Sequence, residues 1–300
     1  MPFPPEAFII GAQRAGTTSL AAILDQHPDI VVSVPKEPDF FSVNWEHGLD
    51  WYRSCFRRLD ATLVDASVNY TMGRLVAASD DPPDAIPRRI HEVSPQARFV
   101  YLVRDPAERC HSAYWHEVRA DREKSTLREA VEQSRYYVTS SYYHRQIKPF
   151  LKHFPRDRFL IVNFADFTRD PLHIAHQCSE FFGTERSDFA FRREEPRNQA
   201  FLYSQLGLTL RNLAGEERLK VLSRIVSKVL PSGLHPYAKR IVTRTVPKLS
   251  QTDRSWLTQH FAEDAVAFEC LMGVRVLADH DRPDSVAVIE PSTRAHESAG

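Results

Sequence analysis

One stretch near the start of the chain constrains its fold more than any other. Ala7-Phe8-Ile9-Ile10 is an apolar run that reads as a buried strand. Gly11-Ala12-Gln13-Arg14-Ala15-Gly16-Thr17-Thr18 follows it. A helix then runs from Thr17 to Gln26 with Leu20, Ile23 and Leu24 on one face. A strand that turns through a glycine-containing loop into a helix aims backbone N–H groups, and the positive end of the helix, at an anion. The only cation inside this loop is Arg14.

Set beside the triphosphate-binding pattern G-x-x-x-x-G-K-[ST], both glycines and the final hydroxyl fit, but the lysine position holds Thr17. That lysine ordinarily reaches the β- and γ-phosphates of a Mg²⁺-bound triphosphate. A cation at Arg14 lies nearer the mouth of the loop. It suits a 5′-phosphate carrying one more transferable group.

The next 170 or so residues repeat the alternation of strand and helix that builds a parallel α/β sheet. Ile30–Ser33, Thr62–Asp65, Arg98–Val103 and Arg158–Asn163 read as strands. Asp105-Pro106 and Asp170-Pro171 each place an N-cap carboxylate before a proline at the first helical position. Thr126 with Glu129 fits a capping box. After Gly183 the pattern predicts helices without strands, at roughly 201–213, 216–229, 235–246 and 253–272. The expected organisation is one domain over 1–278, with an α/β core at about 7–183 and a helical part at about 184–278. Residues 279–300, rich in Asp, Pro, Ser and Glu, read as a mobile tail.

Charge narrows the partners. Lys plus Arg number 39 and Asp plus Glu 39, so the formal charge is zero. General nucleic-acid binders and polybasic membrane proteins carry an excess of cations, and neither is expected here. No apolar run approaches the ~18 residues needed to span a bilayer. Met1-Pro2-Phe3-Pro4-Pro5-Glu6 has neither the basic start nor the apolar core of a secretory signal. Cys55, Cys110, Cys178 and Cys270 stand far apart, as separate thiols in a reducing compartment do. The expectation is a cytoplasmic protein without stable membrane insertion, its oligomeric state left open.

A second anion signature lies at the end of the strand Arg98–Val103. Arg104 follows it on the ligand-binding edge of such a sheet, and the helix begun by Asp105-Pro106 carries Ser112 about two turns in. Taken alone, this pair reads as an Arg paired with Asp105 and a Ser on an ordinary helix face. With the Gly11–Ser19 loop it describes a ligand with a 5′ anion and a separate phosphate, which is a bisphosphorylated nucleoside.

These residues resemble the sulfotransferases that use 3′-phosphoadenosine 5′-phosphosulfate. Phe8 through Leu20 is similar to their 5′-phosphosulfate loop, and Phe99-Val100-Tyr101-Leu102-Val103-Arg104-Asp105-Pro106 through Ser112-Ala113-Tyr114 is similar to their 3′-phosphate motif. His27-Pro28-Asp29, Lys36-Glu37-Pro38-Asp39-Phe40-Phe41 and Gly48-Leu49-Asp50-Trp51-Tyr52 match as well, most closely the heparan-sulfate branch and its bacterial relatives. The resemblance covers roughly residues 7–183. It implies a P-loop-type parallel sheet flanked by helices with a helical C-terminal extension, and sulfuryl transfer to a hydroxyl or, second, an amine.

The resemblance also implies roles. Arg14, Ala15, Gly16, Thr17, Thr18 and Ser19 would hold the 5′ end of the donor, and Arg104 with Ser112 the 3′-phosphate. The family usually has Lys at the position of Arg14; an Arg stays protonated, so it would stabilise the leaving phosphate by charge rather than by donating a proton. Glu37 would be the general base, although without the family it reads as a loop glutamate paired with Lys36. Arg192 and Arg193, near Arg197 and Asn198, fall where the family closes a late basic loop over the donor. No metal is expected, because no His, Cys, Asp or Glu cluster has ligand spacing. His111 and His116, five apart on one helix, are not expected to face each other closely. Phe40 and Phe41 read as core, and Trp45, Trp51, Tyr52, Tyr70, Tyr114 and Trp115 as core or pocket wall.

Two features depart from the heparan-sulfate pattern. Asp65-Ala66-Ser67-Val68-Asn69-Tyr70 lacks the lysine of the acidic-Lys-[ST]-x-x-Tyr segment, and Asp39 stands where a 3-O-sulfotransferase would carry His. The acceptor could therefore be a saccharide, a lipid headgroup or a small metabolite. A nucleotide kinase or triphosphatase, and a non-catalytic nucleotide-binding module, are the competing readings.

Overall fold

The apolar runs of the first half pair into one sheet in a computed structural model that describes residues 3–75, 81–184, 189–192, 201–203 and 243–277. Strands β1 (Ala7–Gly11), β2 (Ile30–Val32), β3 (Thr62–Asp65), β4 (Arg98–Val103) and β5 (Phe159–Asn163) lie in the order β2-β3-β1-β4-β5. Every pairing is parallel. Helices flank the sheet, as a parallel sheet with two buried faces requires. They include α1 (Thr17–Leu24), α2 (Gly48–Ser54), α3 (Ala85–Val93), α4 (Pro106–Arg119) and α5 (Leu127–Gln133). Then come α6 (Arg135–Thr139), α7 (Tyr143–Ile147), α8 (Phe164–Arg169) and α9 (Pro171–Phe181). Phe8, Ile9 and Ile10 of β1 are all sealed from solvent, which is why that segment is apolar without alternation.

From β1 the chain crosses to the edge strand β2 and returns to β3 on one side, then passes β1 to β4 and β5 on the other. The point where this order reverses lies between β1 and β4, and ligands of open α/β sheets sit outside the strand ends at such a point. The phosphate loop leaves β1 there and Arg104 leaves β4. Strands lie about 4.8 Å apart, so the end of β2, which leads to Glu37, is about 10 Å from the end of β1.

Local signals match their elements closely. Asp105 and Asp170 cap α4 and α9 by accepting the amides of Glu108 and His173. Thr126 and Glu129 form the complete capping box of α5. Phe40 and Phe41 are fully buried, with Phe40 stacked on Tyr52 at a centroid distance of 4.2 Å.

The expectation of helices without strands after Gly183 needs correction. Residues 201–203 form β6 and Thr243–Thr245 forms β7, an antiparallel pair in which Phe201 faces Thr245. Aromatic and β-branched residues favour such a pleated ribbon over a helix, and the cross-strand partner is remote in sequence. The last predicted helix forms as α10 (Gln251–Met272), which packs on α4 and α7. The helix predicted at 216–229, most of those predicted at 201–213 and 235–246, and the tail at 279–300 lie outside the described residues, which omit all of 204–242.

Candidate active site

The phosphate loop is shaped by its glycines. At Gly11 a Cβ would meet Thr71 Oγ1 at 2.6 Å and the Tyr101 ring at 2.9 Å, so only glycine lets β1 end there. Gly16 is the N-cap of α1 in left-handed conformation (φ 92°), and no side chain caps the helix. The amides of Gly16, Thr17 and Thr18 have no acceptor among the described residues. They form the unfilled donor set that a helix N-terminus offers an anion. The amides of Ala15 and Ser19 turn inward instead, to the carbonyls of Ala12 and Gly16.

Arg14 adopts a left-handed φ of 68°, uncommon for a residue with a side chain. Its side chain leaves the loop toward α4, where Nε lies 3.5 Å from Ser112 Oγ. The neighbouring Gln13 donates to the Tyr136 hydroxyl at 2.9 Å, bracing the loop against α6.

Arg104 is fixed at several points. The Tyr143 hydroxyl accepts from its amide (3.2 Å) and donates to its carbonyl (2.7 Å). Its guanidinium lies over the Phe164 ring at 4.9 Å and donates to Glu108 Oε2 at 3.2 Å. The Arg104–Asp105 pairing considered from sequence gives way to Arg104–Glu108, because Asp105 is turned to cap α4.

Arg14, Arg104 and Ser112 line one cavity of about 350 Å³, between α4 and the segment that enters α10. That size is at the lower end for small-molecule sites. His111, Trp115, His116, Arg119, Lys248 and Arg254 share its wall, with Glu108 the one carboxylate among the described residues. The crowding of cations is felt by Arg14 and by both histidines. Burial, then the charges of Arg119 and Arg104, pull the Arg14 pKa down, and burial does the same to Arg104. His116 falls to about 4 through burial and then the charges of Arg14 and Arg119, so it is neutral at physiological pH. His111 is lowered by burial and accepts from the Trp115 indole at 2.8 Å. The two histidines, five apart in sequence, do share this wall, because the cavity spans more than one face of α4.

The other end of the sheet edge differs. Glu37 is partly exposed and pairs with Lys36 at 2.5 Å, while Lys36 also donates to the Ala66 carbonyl beyond β3. Asp39 takes a left-handed φ of 50°. Its Oδ2 accepts from Asn69 at 2.9 Å and its amide donates to Ser67 Oγ, but its buried Oδ1 has no partner. Burial pushes its pKa up to about 6 against the help of Asn69. Asp65 is fully buried and accepts from Tyr52, Tyr70 and Ser67 at 2.6–2.7 Å, so it braces the core and cannot reach an acceptor.

The structure thus gathers Arg14, Arg104 and Ser112, starts α1 with Thr17 and Thr18 just beyond Arg14, and sets Glu37 apart on the β2 side. Arg192 lies elsewhere, its backbone paired with the Gln26 side chain, and Arg193 falls outside the described residues. Sequence reasoning missed Arg119, Lys248 and Arg254. Arg119 could have been found, seven residues beyond Ser112 and so on the same face of α4. Lys248 and Arg254 carry no local signal beyond flanking the Ser250 N-cap.

Comparison with known proteins identifies the family. The family model described as a sulfotransferase domain matches residues 4–200. The human heparan sulfate glucosamine 3-O-sulfotransferase 6 is 29% identical over 192 residues, 61% of this chain and 53% of that protein. The Mus musculus heparan sulfate glucosamine 3-O-sulfotransferase 3A1 is 30% identical, over 61% of this chain and 46% of its own. The chain therefore spans about half the length of the curated relatives it matches. A sulfotransferase from Alicyclobacillus acidocaldarius of known structure has the same fold, with a TM-score of 0.60 at 23% identity over 91% of this chain and 97% of that one. This chain belongs to the sulfotransferase domain family.

Proposed function

We propose that the protein moves a sulfuryl group from 3′-phosphoadenosine 5′-phosphosulfate to a hydroxyl, or second an amine, by in-line displacement. The observation that carries this reading is the convergence of Arg14, Arg104 and Ser112 on one cation-lined cavity beside the uncapped start of α1. The donor set fits a nucleotide with phosphates at both ends. The free amides of Gly16, Thr17 and Thr18 suit the 5′ end, and Arg104 with Ser112 suits the 3′ end.

Transfer of this kind depends on positioning and on charge stabilisation. Glu37 takes the proton of the acceptor hydroxyl as the new S–O bond forms. Arg14 and the α1 amides hold the negative charge that the departing phosphate acquires when the old S–O bond breaks. The proton rests on Glu37 and the products are a sulfate ester and 3′,5′-adenosine bisphosphate.

The acceptor class we propose is a saccharide, lipid or small metabolite with little negative charge. The human and mouse relatives named above are heparan sulfate enzymes, but here β3 ends in the buried Asp65 knot. Val34, Val43 and Leu49, the exposed large apolar residues among the described ones, all stand on the segment that carries Glu37.

Thermal-shift titration tests the function. Adenosine 3′,5′-bisphosphate without Mg²⁺ should stabilise the protein by about 2.7 kcal/mol at one hundred times its dissociation constant. Stabilisation by Mg-ATP alone would move the chain to the kinase reading, and a response to neither ligand would leave a non-catalytic module.

A further inference from the structure

The first turn of α10 is held firmly against α4. Leu257 and Phe261 are sealed into a cluster with Ala107, Cys110 and Tyr114. The Asp264 carboxylate accepts the amides of His144 and Arg145 at 2.9 and 3.0 Å, and Asp253 pairs with Arg128 at 2.9 Å. From this fixed turn Arg254 reaches forward to the start of α4. It donates to Glu108 Oε1 and stands 3.8 Å from Asp105. The other oxygen of Glu108 accepts from Arg104. One carboxylate therefore holds two guanidiniums from opposite walls of the cavity, and Lys248, exposed on the strip before α10, faces the same space.

Arg104, Arg254 and Lys248 outnumber Glu108 and Asp105 by one, and a phosphate monoester at neutral pH is the kind of anion that such a wall attracts. Guanidiniums held in a fixed orientation suit such an anion, since their planar donors match phosphate oxygens. We propose that Arg254 and Lys248 are ligands of the donor's 3′-phosphate, and that Glu108 is the positioning residue that sets Arg104 and Arg254 side by side to receive it. The C-terminal helix then completes a site whose other half comes from β4 and α4.

This inference rests on the sulfotransferase reading, and calorimetry with two nucleotides separates the two. Adenosine 3′,5′-bisphosphate carries the 3′-phosphate and 5′-AMP does not. Arg254→Met should raise the dissociation constant of the bisphosphate about tenfold or more, and Arg254→Lys should recover most of the loss. Lys248→Met should cost about threefold at low salt and little at high salt, as an exposed charge does. For Glu108→Gln we expect a loss between these, with Glu108→Asp partly restoring it. Affinity for 5′-AMP should move less than about twofold in every variant. If wild type binds the bisphosphate and Arg254→Met binds it equally well, the inference is overturned and the sulfotransferase reading stands. Equal losses for both nucleotides would mean a structural role for Arg254 and would also overturn it. Failure of wild type to bind the bisphosphate would remove both.

Discussion

The two ends of the sheet's working edge are built on different principles. At the β1–β4 end, cations outnumber carboxylates and two of them are fixed by regular structure: Arg104 by Tyr143 and Phe164, Arg254 by a helix packed on α4. At the β2–β3 end, Glu37 and Asp39 sit on a loop, carboxylates face few cations, and apolar side chains stand in solvent. The first arrangement suits a ligand that never changes, because altering it would disturb the frame. The second can vary without cost to the sheet, since loops tolerate substitution where strands do not. On the proposed function, donor recognition is written into the fold, and acceptor choice into what is grafted on it.

The sharpest way to break this comparison is to strike each end separately and ask whether the other responds. Glu37→Gln keeps the size of the side chain and removes the proton acceptor. Single-turnover rates should fall by a factor on the order of 10²–10⁴, while affinity for adenosine 3′,5′-bisphosphate stays within about twofold. A near-normal rate with a true acceptor would place the base elsewhere, with Asp39 the next carboxylate to examine.

The reciprocal strike is Arg104→Ala. It removes a charge-assisted contact of about 1.5–3 kcal/mol, so calorimetry should find the bisphosphate bound at least about tenfold more weakly. Ser112→Ala, the loss of a single hydroxyl, should cost less. Both variants should keep wild-type thermal stability without ligand to within a few degrees, because β4 and the Asp105 cap remain intact. Unchanged affinity in Arg104→Ala would detach the 3′-phosphate from this end altogether.

These experiments also mark where sequence reasoning reaches. The strands were legible because a parallel sheet buries both faces, leaving apolar runs such as Phe8-Ile9-Ile10 that local pattern identifies. The loop and Arg104 were legible because glycine position, helix starts and strand ends are all local signals. The place of Arg254 in the cavity wall was not, since it depends on α10 folding back across 146 positions to Glu108. The β6–β7 pair was missed for the same reason: each strand is short and gains its stability only from its partner. Asp39 was noted as a departure from the family pattern, but its left-handed backbone and unpartnered oxygen follow from tertiary contacts with Ser67 and Asn69.

Asp39 provides the smallest effect and the finest test of the acceptor end. Its pKa in the fold is about 6, above the ordinary carboxylate value of 3.8, chiefly through burial. The folded protein then binds more protons than the unfolded chain between those two values, so stability falls as pH rises through that window. With its partial exposure discounted, the penalty above pH 6 is on the order of 1 kcal/mol. Asp39→Asn cannot ionise and should remove that slope. Its melting temperature relative to wild type should improve by about 2–4 °C between pH 4 and pH 7.5, whatever constant offset the buried amide introduces. Donor affinity should not follow, because Asp39 lies across the sheet edge from Arg104. A difference curve that is flat across this range would mean that Asp39 ionises as freely in the fold as in water. A change in bisphosphate affinity of more than about threefold would mean that the two ends are coupled, and that the division between frame and loop is too simple.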